Sequence, residues 1–249
     1  MNLFNTINSI VRYALIGIIS VPFFIMILLL IPLYNYSATV RHMRAWLFYW
    51  WSRIGLFITG LSYQIKGLEN LDIIPNEPCV LVMNHTSSLD IPLIEILMGG
   101  FPRFWMVLHR LQQHLFLGHL IKWTQISVDQ DDIHHAGASV LRSIRRLKKH
   151  GEHLMLFPEG GRYADGKIHE FFPGFARIAR ILDRPVVPIA IQGACRVLVP
   201  GQTLFDSSHP ITLTIGPVLR FSSDASTDSK MQEKKMVDQI REWLSSAVE

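Results

Sequence analysis

The chain opens with a long apolar stretch, and only beyond it do apolar and polar positions alternate in short blocks. No charged residue occurs from Tyr13 to Val40, and residues 16–33 are almost wholly apolar. At ~1.5 Å per residue, about 20 helical residues cross a hydrocarbon core of ~30 Å. The stretch is too long for the apolar region of a signal peptide, and no small-residue cleavage site follows it. We therefore predict an N-terminal membrane helix.

A second apolar segment follows, and it is rich in aromatic residues. Residues 46–51 are Trp-Leu-Phe-Tyr-Trp-Trp and lie between Arg44 and Arg53. Trp, Tyr and Arg together are typical of headgroup depth, so we predict a second helix in or near the membrane interface. With Arg41 these arginines outnumber Arg12, the one cation before the apolar stretch, and the positive-inside rule then places the following domain on the cytoplasmic side. A helical hairpin buried in a protein core is the alternative.

Beyond residue 60, short apolar runs alternate with segments of helical periodicity. The runs predict strands near residues 61–66, 78–83, 103–108, 125–129, 153–157, 185–191 and 211–216. The periodic segments predict helices near residues 88–99, 110–123, 134–150, 174–183 and 228–247. Such alternation is typical of an α/β fold with a mainly parallel sheet flanked by helices. We therefore divide the chain into membrane-anchoring helices over residues 1–60 and one folded domain over residues 61–249.

The excess positive charge lies in the same region as the apolar stretch. The formal net charge is +4, from 24 Lys and Arg residues against 20 Asp and Glu residues. Four arginines and no acidic residue precede residue 61, so the whole excess lies in the N-terminal quarter. This placement favours an anionic membrane surface and argues against nucleic acid, which requires a basic face on the folded domain. Cys79 and Cys195 are too few for a disulfide framework and fit a reducing compartment.

One string of residues combines a histidine with a carboxylate at a predicted strand-to-helix switch. Positions 84–90 are Asn-His-Thr-Ser-Ser-Leu-Asp and follow the apolar run 79–83. A carboxylate can fix the tautomer of an imidazole and stabilise the imidazolium formed when a hydroxyl proton is taken. We therefore predict that His85 is a general base and that Asp90 orients it. The spacing alone is weak, because a chain with 11 histidines produces such pairs by chance, but open α/β sheets carry their sites at such switches.

A second string forms the exit from another predicted strand. Positions 157–162 are Phe-Pro-Glu-Gly-Gly-Arg, directly after the apolar residues 154–156. A loop with two glycines and a guanidinium can bring backbone N–H groups and a cation close to an anion. We predict an anion-binding loop here, and an ordinary strand-exit turn is the alternative.

The two strings together resemble the first and third motifs of the glycerolipid acyltransferase superfamily, whose members include the bacterial 1-acylglycerol-3-phosphate acyltransferases. In that family the motifs read N-H-x4-D and F-P-E-G-T-R. Residues 186–191, Val-Val-Pro-Ile-Ala-Ile, are similar to its fourth motif. The order and spacing of these motifs cover about residues 60 to 220.

The resemblance implies a reaction as well as a fold. It implies a membrane-bound O-acyltransferase that moves a fatty acyl chain from acyl-CoA or acyl carrier protein onto a lysolipid hydroxyl. The default acceptor is 1-acylglycerol-3-phosphate (lysophosphatidate), which gives phosphatidate for phospholipid biosynthesis. His85 is then the base and Asp90 its orienter, the alcohol attacks the thioester directly, and neither a cofactor nor a metal is expected.

The resemblance also assigns binding residues and bears on the N-terminal helices. The residues assigned to substrate binding, chiefly at the acceptor or phosphate end, are Asn84, Glu159, Gly160, Gly161 and Arg162. The N-terminal helices are predicted to form either one span with an interfacial helix or, as the resemblance suggests, a hairpin in one leaflet. The expected partners are membrane lipids and the acyl donor. The expected location is the cytoplasmic side given by the arginines, at the inner membrane if the protein is bacterial.

Three departures from the family pattern bear on the acceptor. Gly161 replaces the usual threonine of the third motif, Gln130 stands where an arginine usually ends the second, and Phe172 replaces a lysine. Two cations expected near an acceptor phosphate are thus absent, and Arg162 remains. These departures leave two alternatives: an acyltransferase for a lysolipid without a phosphomonoester, such as a lysophospholipid or an aminoacyl lysolipid, or an inactive membrane-bound lipid-binding protein.

Overall fold

The N-terminal apolar stretch forms one long helix. The computed structural model describes residues 3–108, 125–128, 133–202, 205–222 and 228–249. Helix α1 covers Leu3–Leu30 and continues into a short 3₁₀ helix, Ile31–Leu33. Within the described residues one helical stretch, Ile7–Leu33, is long and apolar enough to cross a membrane, with a mean hydropathy of 2.9. Only 6% of its apolar window is buried in the protein, which confirms the predicted N-terminal apolar helix.

The aromatic segment forms the second helix, α2 (Ala38–Thr59), which is capped by the Ser37 side chain and packs along α1. Its outer face carries Trp46, Trp50 and Phe57, which are 48%, 46% and 85% exposed. Exposed aromatic side chains on an apolar helix are typical of a membrane interface. The second helix is where the sequence predicts it, and its place in a membrane stays a prediction.

The inner face of α2 is tied to the rest of the protein by buried charges. Arg44 is 3% exposed, and its guanidinium lies 3.7 Å from a carboxylate oxygen of Glu152. Arg41 approaches the same carboxylate to 3.1 Å, and the Tyr34 hydroxyl donates a 2.7 Å hydrogen bond to it. The charge of Arg44 is therefore paired inside the protein and does not face lipid headgroups, whereas the depth of α2 in a membrane stays a prediction. The cytoplasmic placement stays a prediction and depends more heavily on Arg53.

Seven strands form one sheet in the described part of the chain. They are β1 (Tyr63–Lys66), β2 (Val80–Met83), β3 (Arg103–Leu108), β4 (Ile126–Val128), β5 (His153–Leu156), β6 (Val186–Gln192) and β7 (Ile211–Ile215). Their order is β1-β7-β6-β2-β5-β3-β4, and every neighbouring pair is parallel except β6 and β7. The predicted mainly parallel sheet is thereby confirmed, and each strand overlaps a predicted one.

Helices flank this sheet, as the sequence predicts. They are α3 (Asp90–Leu97), α4 (Ile133–His150), α5 (Gly174–Leu182), the short α6 (Ala194–Val197) and α7 (Ser229–Val248). A further 3₁₀ helix, Leu68–Leu71, follows β1. The helix predicted near residues 110–123 lies outside the described residues, and so does Gln130.

Apolar side chains cover both faces of the central strand β2. Leu81 and Met83 belong to one buried cluster, which includes Leu56 of α2 and residues of α3. Val80 and Val82 belong to a second cluster, with residues of α4, α5 and α7. Because both faces of β2 are buried, its sequence is continuously apolar instead of alternating. The domain division after residue 60 stays a prediction, and α2 packs on the sheet through Leu56.

Candidate active site

The two motif strings lie side by side at one edge of the sheet. Strand β2 pairs in parallel with β5, with Val82 opposite Leu156. The chain leaves β2 into the loop that holds His85, and it leaves β5 into the loop that begins at Phe157. The carboxyl edge of a parallel sheet is where open α/β folds place their sites. Adjacent parallel strands therefore bring together two strings that are far apart in sequence.

His85 and Asp90 form the pair that the spacing predicts. Asp90 is the first residue of α3 and is fully buried, and its Oδ2 lies 2.8 Å from Nδ1 of His85. The same oxygen accepts the backbone N–H groups of Thr86, at 2.7 Å, and Ser87, at 2.8 Å. Because Oδ2 accepts two backbone N–H groups, it is also the acceptor in its contact with His85, and Nδ1 carries the proton that is donated. Nε2 is then the unprotonated nitrogen, available to accept a proton.

The ring of His85 is covered on one face by an aromatic side chain. Its centroid lies 3.9 Å from that of Phe157, with the two planes inclined by 9°. The His85 side chain is 15% exposed, so the imidazole is largely enclosed yet still reached from outside. The second string thus contributes a wall of the pocket around the base as well as the loop that the sequence predicts.

Glu159 connects the loop that holds His85 to the loop that follows β5 through two hydrogen bonds. Its Oε1 accepts the backbone N–H of His85 at 3.2 Å, and its Oε2 accepts that of His169 at 2.9 Å. The backbone of His85 is held on its other side as well, since its carbonyl accepts the Tyr163 N–H at 2.9 Å. Glu159 is 4% exposed, and this burial raises the pKa of its carboxyl, whereas the two backbone N–H groups act in the opposite direction. Both carboxylate oxygens are therefore used to position the loops.

Asn84 fastens the first loop to a different strand. Its Nδ2 donates to the carbonyl of Ile191 at 3.0 Å, and the Ile191 N–H donates to its Oδ1 at 2.8 Å. The residue is 2% exposed. Both ends of the amide are thus satisfied by β6, which fixes the backbone directly before His85. Its assignment to substrate binding stays a prediction.

The glycines of the second string allow its tight turn. Gly160 has φ +66°, a left-handed conformation that a side chain disfavours. A Cβ on Gly161 would lie 3.1 Å from the ring of Tyr163. The ring of Tyr163 in turn stacks on His169, with centroids 3.7 Å apart. The glycine that replaces the family threonine therefore fits the close approach of Tyr163.

Arg162 leaves this turn as an exposed cation. Its Nη1 donates to the hydroxyl of Ser88 at 2.5 Å, which holds the guanidinium beside the loop of the first string. Phe172 is 46% exposed, so the position that is lysine in the family presents an apolar ring. Arg162 thus remains the cation of the second string, and Gln130, the other departure, lies outside the described residues.

Sequence reasoning missed the contacts between the strings. Phe157 was identified only as part of a motif, and its stacking on the ring of His85 was not predicted. The available signal was an aromatic residue directly after a strand, next to the predicted site. No role was predicted for Tyr163, His169 or Ile191. All three take part through their own backbone N–H or C=O groups. Residue type carries no signal for such bonds.

The comparisons with known proteins agree with this fold. Residues 63–192, just over half of the chain, match the model of the Acyltransferase family. The chain therefore belongs to the Acyltransferase family.

Individual relatives bear a more specific name. A protein of Pseudomonas aeruginosa called 1-acyl-sn-glycerol-3-phosphate acyltransferase is 30% identical over 146 residues, which are 56% of this chain and 54% of that protein. The chain thus spans about half the length of this relative. A protein of the same name from Borreliella burgdorferi is 24% identical, and the match covers 79% of this chain and 76% of that protein.

A solved structure resembles the whole chain. The crystal structure of the 1-acyl-sn-glycerophosphate (LPA) acyltransferase PlsC from Thermotoga maritima superposes with a TM-score of 0.73 at 18% identity. The superposition covers 98% of this chain and 97% of that protein. At this identity the likeness establishes the fold, including the helices before the sheet.

Proposed function

We propose that the protein transfers a fatty acyl chain from a thioester, acyl-CoA or acyl carrier protein, to the free hydroxyl of a lysolipid. The observation that carries the proposal is the pair of His85 and Asp90, with the tautomer of the imidazole set by a buried carboxylate. The names of the relatives support lysophosphatidate as the acceptor. The product would then be phosphatidate.

The reaction is a single displacement at the thioester carbonyl. Nε2 of His85 takes the proton of the acceptor hydroxyl while its oxygen attacks the carbonyl carbon. The C–O bond forms, the C–S bond breaks, and the thiolate that leaves takes the proton back from the imidazolium. Asp90 stabilises this imidazolium across the 2.8 Å contact to Nδ1. The serine nearest the pair, Ser87, is buried and donates to the carbonyl of Leu198, so the step needs no acyl-enzyme on it.

Arg162 is proposed to bind the phosphate of the acceptor. It is exposed, and its contact to Ser88 holds it beside the loop of His85. Guanidinium groups bind phosphate in a bidentate manner and carry a permanent charge. Arg162 is therefore the candidate that distinguishes a phosphomonoester from a neutral headgroup.

Replacing Arg162 with alanine is expected to lower kcat/KM for lysophosphatidate by about 30-fold, the cost of losing one short-range charge partner. The loss with lysophosphatidylcholine should be much smaller, because its phosphate carries one charge fewer. Steady-state assays with labelled acyl-CoA and both acceptors measure this difference. Arg241→Ala, an exposed arginine of α7, is the control and should change neither rate. An equal loss of kcat/KM with both acceptors would show that Arg162 does not distinguish a phosphomonoester from a phosphodiester.

A second acceptor class is favoured by one observation. The exposed ring of Phe172 replaces a lysine of the family and offers no charge to a phosphate. A lysophospholipid diester or an aminoacyl lysolipid requires less positive charge than a phosphomonoester. A preference of the wild-type protein for such acceptors, together with a gain on lysophosphatidate in Gln130→Arg, would establish this alternative. An inactive lipid-binding protein is opposed by the intact pair of His85 and Asp90.

We also propose that the protein resides in the membrane through α1. It should remain in the pellet after alkaline carbonate or high salt and dissolve only in detergent, because apolar area supplies the anchor. Ile18 is 69% exposed on α1, and Ile18→Lys should weaken retention, since a lysine at the centre of a membrane helix costs about 2.5–3.5 kcal/mol. Lys230→Ala on α7 should leave retention unchanged. Recovery of the wild-type protein in the soluble fraction would contradict the proposal.

A further inference from the structure

Three stacked rings extend from the catalytic base into the sheet. The ring of His85 lies 3.9 Å from that of Phe157, and the ring of Phe157 lies 5.2 Å from that of Trp105, inclined by 26°. Phe157 directly follows β5, and Trp105 lies on β3, the strand paired with β5 on its other side. The stack therefore begins at the site and ends at Trp105, which is 6% exposed.

The inner end of the stack is rigidly held. Nε1 of Trp105 donates to Oε1 of Glu95 at 2.6 Å, and Glu95 forms a buried ion pair with Arg103. The guanidinium of Arg103 also donates to the carbonyl of Phe101 at 2.8 Å. Glu95 belongs to α3, the helix that begins with Asp90. One helix thus positions the imidazole twice: Asp90 contacts its edge, and Glu95 fixes the stack on its face.

The edge contact alone does not set the orientation of the imidazole. A hydrogen bond at Nδ1 fixes one point of the ring and leaves the plane free to swing about that point. A flat contact with Phe157 at 9° removes this freedom, so Nε2 faces the reacting hydroxyl in one orientation. The face of a benzene ring is also electron-rich, and it attracts a cation placed over it. The imidazolium that forms during proton transfer is such a cation.

We propose that Phe157 and Trp105 are positioning residues for the transfer, setting the plane of the His85 ring and stabilising its protonated form. Phe157 acts by direct contact, and Trp105 acts by supporting Phe157 from behind. This role rests on the proposed function of His85 as the general base. Phe157, the first residue of the second string, then has a role that requires an aromatic ring. A non-aromatic apolar residue of equal size would not perform it.

Phe157→Leu tests the inference by keeping an apolar side chain and removing the aromatic face. It should lower kcat by about tenfold and change KM little, because Arg162, the cation proposed to bind the acceptor, is retained. The acid limb of the pH profile of kcat/KM should move to lower pH, since the protonated imidazole loses stabilisation. Phe157→Tyr retains the aromatic face and should restore most of the rate.

Phe104→Leu is the matched control. Phe104 is a fully buried aromatic residue of β3 in the second cluster, on the opposite face of the sheet from Trp105. Its replacement should lower thermal stability as Phe157→Leu does, and it should leave kcat and the pH profile unchanged. An equal loss of kcat in both variants would show that Phe157 only fills space and would overturn the inference.

A fluorinated phenylalanine at position 157 covers the case in which Phe157→Leu does not fold. Fluorine withdraws charge from the face of the ring at nearly constant size, so kcat should fall with each added fluorine. A constant kcat across this series would overturn stabilisation of the imidazolium by the ring. His85→Ala is assayed alongside these variants. If His85→Ala is active, the proposed function fails. If His85→Ala is inactive and Phe157→Leu has the wild-type kcat and pH profile, only the positioning role fails.

Discussion

Replacing His85 with alanine is expected to lower kcat for acyl transfer by about a thousandfold or more, the loss typical of a removed general base. The fold should persist, because the loops are held by the backbone of His85 and by the side chain of Glu159, whose bonds to the backbone remain. Turnover of labelled acyl-CoA with lysophosphatidate measures the loss. Thermal unfolding of the purified variant in detergent checks the fold.

Asp90→Asn should retain a small part of the rate. The amide can still lie beside Nδ1 of His85, but it can donate to that nitrogen and hold the wrong tautomer, and it does not neutralise the imidazolium. Its buried position, where Oδ2 accepts two backbone N–H groups as well, makes compensation by water difficult.

An exposed histidine of the same chain supplies the matched control. His209 lies 3.3 Å from a carboxylate oxygen of Asp206, so it is also a histidine paired with an aspartate. His209→Ala should leave the rate unchanged. If His85→Ala keeps most of the wild-type rate, the assignment of the general base is wrong.

The largest expected effect on stability comes from Glu152, which lies far from the chemistry. Its carboxylate is 1% exposed and pairs with the buried guanidinium of Arg44. Removing one partner of a buried ion pair leaves the other charge without compensation and costs about 3–5 kcal/mol. Glu152→Gln should therefore lower the midpoint of thermal unfolding by about 10 °C, as expected for a chain of this length.

Unfolding in detergent, followed by tryptophan fluorescence, measures this shift. The control is Glu77→Gln, which breaks the exposed ion pair of Glu77 with Arg220 and should cost less than about 1 kcal/mol. Equal shifts of the unfolding midpoint in the two variants would show that the buried ion pair stabilises the protein no more than an exposed one. Because Glu152 precedes β5 at its amino end, kcat of the folded variant should be unchanged at low temperature.

The parts of the fold that the sequence predicts well are those with buried strands. β2 is wholly apolar, and β5 and β6 are apolar except for His153 at the start of β5 and Gln192 at the end of β6. Because these strands are buried on both faces, an apolar run marks them without alternation. The contact of His85 with Asp90 was predictable for a different reason: it spans five residues, and a strand-to-helix switch fixes its geometry. Its catalytic role stays a prediction.

The remaining features depend on partners that are distant in sequence. Glu159 reaches a backbone group 74 residues away, and Asn84 reaches one 107 residues away. Their polar side chains predict substrate contacts, which stay predictions. Their contacts with these backbone groups were not predicted. The ion pair of Arg44 was missed for the same reason: a cation beside tryptophans is typical of a membrane surface, and its buried partner is distant in sequence.

The ion cluster around Glu152 has a consequence for the ancestry and engineering of the chain. Tyr34, Arg41 and Arg44 precede residue 60, whereas Glu152 lies between α4 and β5. Exchanging the N-terminal helices with those of a relative would separate these groups. Such a chimera would be stable only if the residues at positions 34, 41, 44 and 152 came from the same parent. We therefore expect substitutions at positions 44 and 152 to arise together across the family, as a charged pair or an apolar pair. We likewise expect the N-terminal helices and the sheet to be inherited as one unit.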